Sequence, residues 1–460
     1  MNYTNYNTVE NLKLAYIGGG SRGWAWGLMS DLAKAKDISG EVYLYDIDLQ
    51  AAKNNEIIGN SISVHHPDCN NFKYRAVETL DEALKGADFV IISILPGTFD
   101  EMESDVHVPE KYGIYQSVGD TVGPGGIIRA LRTIPMFEVI AKAIEKNCPD
   151  AWVINYTNPM SVCVRTLYRV FPRIKAFGCC HEVFGTQNFL AKILKEQGFE
   201  NVSRQDIKIN VLGINHFTWI TKAHYKNLDL FPIYRQYCEK NHEIGCDDGK
   251  WMTDPFKFCE KVKMDLFLRY GVIAAAGDRH LAEFCPGKWY LENPDVVKNW
   301  KFGLTPVSHR KKDLQNRLNK SREYLNGERI FELKNTGEEG VMQIRAILGL
   351  GDMVTNVNLP NHGQISNLPP DTIVETNAYF TCDNVTPVIA GAVPDNIMTL
   401  IAPQVYNQEC IVQAGLDRDL ELAYNTFMKD PLVTVGFENG KKLFDEMVNN
   451  TVTYLTDYLK

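Results

Sequence analysis

Short apolar runs alternate with segments of helical spacing through the first half of the chain. Runs of this kind are typical of parallel strands whose two faces are both covered by helices. The runs that predict strands are LKLAYIG (12–18), EVYLYD (41–46), DFVIISIL (88–95), AWVINY (151–156) and KAFGC (175–179). The segments that predict helices are 23–36, 48–63, 127–147 and 182–197. This alternation predicts an α/β fold with a Rossmann-like, doubly wound parallel sheet.

A glycine-rich segment follows the first predicted strand directly and opens the first predicted helix. Gly18, Gly20 and Gly23 fit the pattern GxGxxG, with Ser21 between the last two. Glycines at these places allow a tight turn, close approach of the backbone to a pyrophosphate and close helix–strand packing. Asp46 ends the second strand, where a carboxylate can bind the ribose hydroxyls of NAD. We therefore expect an NAD site and a fold of the lactate/malate dehydrogenase type.

The pattern changes beyond about residue 217, where aromatic and charged residues become more frequent. IVETNAYF (373–380) predicts a strand, and 396–459 predicts helices with a break at Asp430-Pro431. We predict two domains: residues 1–216 as the NAD-binding domain, and residues 217–460 as an α+β substrate and oligomerisation domain. The basic segment 309–324 predicts a helix with a solvated charged face.

Composition limits the classes of function. The 460 residues carry 48 Lys and Arg against 57 Asp and Glu, a net charge of −9, which argues against a nucleic-acid partner. Nowhere does an apolar run approach the length of a membrane span, about 18 residues, so we expect no membrane partner. The eleven cysteines form no CxxC pair, and the start MNYTNYNTVENLK has no apolar segment. We expect a cytoplasmic protein with reduced thiols.

Polar residues follow several strands and are candidates for chemistry. Cys180 and His216 each lie at a predicted strand end, and a thiolate and an imidazole can share a divalent metal. From the residues alone, a buried thiol and a core histidine are the simpler interpretation of the same two residues. The segment Gly277–Phe284 carries four ionisable side chains, which can supply an acid, a base or a cation for an anionic substrate. An exposed turn is the alternative for that segment.

Several of these motifs together resemble glycoside hydrolase family 4, over roughly residues 12–450. They are GGGS (18–21), Asp46, INYTNP (154–159), CHEV (180–183), GINH (213–216) and NVNLPN (356–361). The resemblance implies hydrolysis by an unusual route, in which NAD takes a hydride from sugar C3 and a metal polarises the ketone. A base then removes the C2 proton, the glycosidic oxygen is eliminated, water adds, and the hydride returns.

The resemblance also implies roles for individual residues. Cys180 and His216 match the metal ligands, usually of Mn²⁺, and Asn158 matches a residue that contacts sugar hydroxyls. His181 takes the place from which the leaving group is assisted. For the base, the resemblance points to Asp278 first and His280 second.

Leu95 stands where members acting on phospho-sugars carry a phosphate-binding arginine, which argues against a 6-phospho sugar. CHEV resembles the subgroup that includes α-galacturonidases, and Arg279 or Lys288 can bind the substrate carboxylate. We therefore expect an α-galacturonidase that acts on a small oligosaccharide or glycoside with galacturonate at the non-reducing end. We also expect the homodimer or homotetramer that is common in the family.

Alternatives within the family are an α-glucosidase, an α-galactosidase and an α-glucuronidase. A net NAD-dependent dehydrogenase of the lactate/malate type is an alternative from another class, although His216 lacks the Gly-His-Gly-Asp setting of those enzymes. A third is a non-catalytic NAD-sensing protein, in which the candidate site residues would be incidental.

Overall fold

The computed structural model describes residues 1–4, 6–69 and 71–460. Its strands are β1 (Asn2–Thr4), β2 (Thr8–Ile17), β3 (Ile38–Tyr45), β4 (Phe72–Val77), β5 (Phe89–Ile92), β6 (Trp152–Asn155), β7 (Lys175–Gly178), β8 (Ile207–Ile214), β9 (Phe217–Tyr225), β10 (Leu228–Asp229), β11 (Ile273–Ala274), β12 (Met353–Pro360), β13 (Ile373–Thr381) and β14 (Asn384–Pro387). Its helices are α1 (Trp24–Lys34), α2 (Leu49–His65), α3 (Leu80–Leu84), α4 (Phe99–His107), α5 (Gly123–Asn147), α6 (Met160–Val170), α7 (Glu182–Glu196), α8 (Phe231–Asn241), α9 (Lys261–Tyr270), α10 (Asp278–Phe284), α11 (Pro294–Asn299), α12 (Val307–Leu325), α13 (Gly340–Ile347), α14 (Asp395–Asp417), α15 (Leu420–Lys429) and α16 (Phe437–Asn450).

The parallel sheet of the first half is confirmed. Its strands lie in the order β4-β3-β2-β5-β6-β7, and every neighbouring pair is parallel. Helices cover both faces, so strands such as β5 are buried throughout. The pairings Ile17↔Tyr45 and Ile17↔Ile92 align the carboxyl ends of three strands at one edge. The segments that follow the strands therefore meet along that edge.

Strand β4 was not among the predicted strands. Its sequence, FKYRAV, alternates between buried and exposed side chains because it lies at the end of the parallel sheet. An edge strand with one covered face has no continuous apolar run. The apolar-run criterion therefore missed it.

Three strands of the second half of the chain extend the same sheet. β12 pairs with β7 antiparallel through Asn358↔Gly178, and β13 and β14 follow outward, which gives ten strands with β1. β13 confirms the strand predicted at 373–380. The predicted domain boundary at residue 216 stays a prediction. Strands from both sides of this boundary belong to one sheet.

A second sheet forms around β9, which pairs with β8, β10 and β11. β8 and β9 are joined by the two-residue turn Asn215-His216, because Ile214 pairs with Phe217. His216 has a left-handed backbone, with φ +63°. The turn thus directs an amide and an imidazole away from the hairpin.

The C-terminal helices α14, α15 and α16 confirm the helical prediction for 396–459, with the break between α15 and α16 at Asp430-Pro431. They enclose a large apolar core together with α5, α10 and β9. In the part of the chain that the structure describes, no helix combines the length and apolar character that crossing a bilayer requires.

Candidate active site

The glycine-rich segment forms a tight loop between β2 and α1. The N–H groups of Gly18 and Gly19 both donate to the carbonyl oxygen of Tyr45, and Gly18 has φ +94°. A Cβ at Gly18 would lie against the carbonyl oxygen of Ser93, and one at Gly20 would lie 2.6 Å from Cβ of Ala51. The loop thus packs against two neighbouring segments with no space for side chains at these positions.

Asp46 and a residue that sequence reasoning missed hold the loop in place. Asp46 Oδ2 accepts from the Gly20 N–H at 2.8 Å. The buried Asn55 of α2 donates to the carbonyl oxygens of Gly19 and Ser21, at 2.7 and 2.9 Å. The only sequence signal for Asn55 was a polar residue on the apolar face of a predicted helix.

The N terminus of α1 completes the loop. Gly23 is the residue before the helix, and Ser21 Oγ accepts from the Trp24 N–H at 3.2 Å. The Arg317 guanidinium of α12 lies directly against Gly23. A helix N terminus, a glycine-rich backbone and a nearby cation together form an environment that favours a pyrophosphate.

Three side chains that could ligate a metal form a cluster, here named the metal-binding cluster, beyond the carboxyl edge of the sheet. Single ligand atoms of Asp120, His216 and His280 all lie within 4.8 Å of one another. The two imidazole rings are 3.8 Å apart between centroids. Sequence reasoning predicted His216 as a ligand and His280 as a base, but it missed Asp120, which lies in a loop with no motif around it.

Hydrogen bonds fix Asp120 beside the predicted substrate residue Asn158. Asp120 Oδ1 accepts from Thr121 Oγ1 at 2.7 Å, and Asn158 Nδ2 lies 3.4 Å from Asp120 Oδ2. Burial raises the pKa of Asp120, but the positive potentials of His216, Arg129 and His280 outweigh it and hold that pKa below its usual range. Asn158 Oδ1 is buried and has no hydrogen-bond partner among the described residues, which leaves it free to contact a ligand.

The CHEV residues point in different directions. Glu182, which was not predicted as a site residue, accepts from the Gly277 N–H at 2.7 Å and lies 3.7 Å from His280 Nε2. Burial raises the pKa of Glu182, and the fields of His280 and His216 more than reverse this, to about 2. Glu182 is therefore an anion at the edge of the metal-binding cluster.

Cys180 and His181 precede Glu182 in the chain, and Cys180 is the less exposed of the two. Burial raises the pKa of the Cys180 thiol, and the charges of Glu375 and Glu182 raise it further. His181 is 53% exposed, and its Nδ1 lies 3.0 Å from Glu338 Oε1. The pair with Glu338 raises the pKa of His181, so its ring retains a proton more readily.

A buried polar network contacts the Cys180 backbone. Glu375 of β13 accepts from Asn356 Nδ2 at 2.6 Å and from Asn215 Nδ2 at 3.3 Å, and Asn356 also donates to the Cys180 carbonyl oxygen. Burial raises the pKa of Glu375 to about 7. Glu375 and Asn215 were not predicted as site residues, because their partners come from distant segments.

Helix α10 carries four ionisable residues, of which one belongs to the cluster and three contact other segments. Only His280 reaches the cluster. The structure does not bring Asp278, the first candidate for the base, to it: Asp278 is 0% exposed and its Oδ1 accepts from the Lys263 N–H at 3.0 Å. Burial and the charge of Glu260 raise the pKa of Asp278 to about 7. Asp278 therefore faces the N terminus of α9.

Arg279 and Glu283 hold the loop that carries Asp120. The Arg279 guanidinium donates to the carbonyl oxygens of Ser117 and Gly303, at 2.5 and 3.2 Å, and to the hydroxyl of Thr305. Glu283 Oε1 accepts from the N–H groups of Val118 and Gly119, at 2.7 and 2.9 Å. Nε and Nη2 of Arg279, which was predicted to bind substrate, are thus occupied by the protein.

The two remaining candidates for substrate selection lie at the surface. Lys288, the second cation predicted to bind the carboxylate, is exposed. Leu95 follows β5 and is 43% exposed. Its side chain can contact a bound sugar only through apolar atoms.

Comparison with known proteins places the whole chain in one family. The profile described as "Family 4 glycosyl hydrolase" matches residues 13–196, and "Family 4 glycosyl hydrolase C-terminal domain" matches residues 211–433. The chain is 63% identical to an "Alpha-galacturonidase" of Thermoanaerobacterium saccharolyticum, over 99% of this chain and 98% of that protein.

Two solved structures are similar over nearly the full length. A crystal structure from Bacillus subtilis, described as a glucosidase (lplD), has 53% identity and a TM-score of 0.91, and covers 95% of this chain and 100% of its own. A 6-phospho-beta glucosidase from Thermotoga maritima, solved with manganese, NAD⁺ and glucose-6-phosphate, has 22% identity and a TM-score of 0.77, over 96% and 98% of the two chains. The second shows only that the fold is shared.

Proposed function

Because the chain belongs to family 4 of the glycosyl hydrolases, we propose that it is an α-galacturonidase. The observation that carries the proposal is the 63% identity with an alpha-galacturonidase over nearly the whole of both chains. The proposed substrate is a small oligosaccharide or glycoside with galacturonate at its non-reducing end.

We propose NAD and a divalent metal, with Mn²⁺ as the first candidate, as cofactors. Gly18, Gly20, Ser21, Gly23 and Asp46 would hold NAD, because the glycine-rich turn leads into the N terminus of α1 and the Arg317 guanidinium lies beside it. When bound, the two cofactors supply reversible oxidation of the sugar and Lewis-acid polarisation of its carbonyl.

The metal would bind at the cluster around His216. A carboxylate and two imidazoles suit the hard cation Mn²⁺ better than a soft thiolate does, and His280 Nδ1 has no partner in the described part of the chain. Asp120 and His280 therefore join His216 as proposed ligands. The originally predicted pair, Cys180 and His216, remains the alternative set.

Protein side chains would orient the sugar and move its protons. Asn158 Oδ1 is free to accept from a sugar hydroxyl beside Asp120. His181 would protonate the leaving group, since its pair with Glu338 favours the protonated ring. Of the two candidates for the base we favour His280 over Asp278, because only His280 lies in the cluster. Serving as the base would require His280 to leave the metal ligation to the other residues.

The function is tested with a panel of aryl glycosides: α-galacturonide, α-galactoside, α-glucoside and α-glucuronide, each with and without NAD⁺, Mn²⁺ and reductant. We expect the galacturonide to give the highest kcat/KM, and only with both cofactors present. Faster turnover of another glycoside would contradict the uronide assignment. Steady accumulation of NADH would favour a net dehydrogenase instead.

We also propose a cytoplasmic location and a homodimer or homotetramer. All eleven cysteines lie in the described part of the chain and are free, which suits a reducing compartment. Light scattering coupled to gel filtration measures the oligomeric state directly.

A further inference from the structure

Arg310 of α12 is a half-buried cation with a buried hydrogen-bond donor that no described residue pairs. The sequence placed it in a basic helix with a solvated face, but its guanidinium lies 5.2 Å from the centroid of the Phe256 ring. Its Nε is buried and has no hydrogen-bond partner among the described residues. A guanidinium has five N–H donors and no acceptor, and a buried donor without a partner is costly. The position therefore suits a residue that binds an anion.

The neighbouring Arg279 differs in this respect. Its guanidinium lies on the same Phe256 ring, also at 5.2 Å, but it donates to Ser117, Gly303 and Thr305. Burial lowers the pKa of Arg310, and the positive charge of Arg317 lowers it further, while Asp120 acts in the opposite direction. The carboxylates of Asp120 and Asp313 thus act on Arg310 through their charge, but neither accepts a hydrogen bond from its buried Nε.

Arg310 is connected through two side chains to the loop that carries Asp120. Arg279 binds the Ser117 carbonyl oxygen in the loop that carries Asp120, and Phe256 connects Arg279 to Arg310. The electrostatic effect of Asp120 on Arg310 indicates the same proximity. An anion at Arg310 would therefore be next to a sugar bound at the cluster.

We propose that Arg310 binds the carboxylate of the galacturonate and that this contact selects uronides over neutral sugars. The proposal rests on the function proposed above. A guanidinium matches a planar carboxylate with two parallel hydrogen bonds. A neutral galactoside has a hydroxymethyl group in place of the carboxylate and would leave the buried donor unpaired. A site with an unsatisfied polar group rejects such an analogue strongly.

The test compares wild type with Arg310→Gln, Arg310→Lys and, as a control, Arg322→Gln, which alters an exposed arginine of the same helix. Three quantities are measured: kcat/KM for aryl α-galacturonide and α-galactoside, inhibition by free galacturonate and free galactose, and the Kd of NAD⁺. Thermal unfolding shows whether each variant is folded. If Arg310→Gln does not fold, the test rests on Arg310→Lys. That variant keeps the positive charge but loses the two parallel N–H donors of the guanidinium.

We expect Arg310→Gln to lower kcat/KM for the galacturonide by about 100-fold and to weaken inhibition by galacturonate similarly. Activity on the galactoside and the Kd of NAD⁺ should stay within about threefold, which is the range for a site without direct contact. Arg310→Lys should lose less, and Arg322→Gln should match wild type.

Equal losses on both substrates, or unchanged inhibition by galacturonate, would overturn the assignment. Weaker NAD⁺ binding with unchanged galacturonate inhibition would overturn it too, and would assign the anion to a cofactor phosphate. If wild type itself fails to cleave the galacturonide, the proposed function fails, and this inference with it. If wild type cleaves it and Arg310→Gln does so equally well, only the inference fails.

Discussion

The glycine loop and the metal-binding cluster lie along the same edge of the sheet, but they are built differently. The loop consists of six consecutive residues, 18–23, held by neighbours from β3 and α2. The cluster takes side chains from three separate segments: a loop residue, Asp120; a hairpin turn, His216; and a short helix, His280. The first depends on backbone conformation, and the second depends on where distant segments meet. Substitutions in the loop should therefore affect NAD⁺ affinity, and substitutions in the cluster should affect Mn²⁺ affinity.

The largest effect should come from removing the imidazole that both proposed ligand sets share. We expect His216→Asn to lower activity and Mn²⁺ affinity by more than about 100-fold, since loss of a direct ligand exceeds the cost of losing a supporting residue. Asn tolerates the left-handed backbone at this position, so the turn should survive. Mn²⁺ binding is followed by electron paramagnetic resonance, and NAD⁺ affinity should not change.

Cys180→Ser, measured in the same way, distinguishes the ligand sets. Retained Mn²⁺ affinity would favour Asp120, His216 and His280, and loss of affinity would favour the thiol. Unchanged Mn²⁺ affinity in His216→Asn would contradict both sets.

A smaller effect, confined to the loop, should follow from Gly18→Ala. The added Cβ meets the Ser93 carbonyl oxygen and sits on a backbone with φ +94°. We expect the free energy of unfolding to fall by about 2 kcal/mol and NAD⁺ affinity to fall with it, while Mn²⁺ affinity persists. Chemical denaturation and calorimetric titration measure these quantities.

Gly86→Ala is the matched control for that substitution. Gly86 has φ +67°, and a Cβ there would have nothing within 4 Å among the described residues. It therefore isolates the cost of the backbone angle from the steric clash. Equal destabilisation by the two substitutions would show that contact with Ser93 is unimportant.

The smallest effect on Mn²⁺ and NAD⁺ affinity should come from Glu283, which supports the Asp120 loop. Burial raises the pKa of Glu283 from 4.5 to about 8. In that interval the folded protein binds more protons than the unfolded chain, so the free energy of unfolding contributed by Glu283 decreases as pH rises. We expect Glu283→Gln to lack this decrease, and therefore to gain stability relative to wild type between about pH 5 and pH 8.

Denaturant titrations at several pH values check this, and a pH-independent difference between the two proteins would contradict it. If the loop also shifts in Glu283→Gln, activity should fall without any change in NAD⁺ affinity. That outcome would show that the cluster depends on distant segments in two ways, through its own side chains and through the residues that support them.

The parallel sheet could be predicted because its buried strands are apolar runs, and the glycine loop because its spacing follows a strand and opens a helix. His216 and His280 were recognisable as chemistry-bearing residues. Asp120, Glu182 and Glu375 were not, because an isolated carboxylate has the same local signature in a site as on the surface. Helix α10 shows this limit well: adjacent residues Asp278, Arg279 and His280 face α9, the Asp120 loop and the cluster respectively.

By itself, the sequence determined the buried strands of the parallel sheet, the family and the glycine loop, since each depends on local pattern or on motifs within one segment. Only the tertiary structure decided which ionisable side chains share a site and which are consumed in holding it. Arg279 and Arg310 lie in equally charged stretches of sequence, but one donates to protein carbonyls and the other has a buried Nε without a partner in the described chain. The difference arises from hydrogen bonds between segments far apart in the chain, which residue type and spacing do not encode.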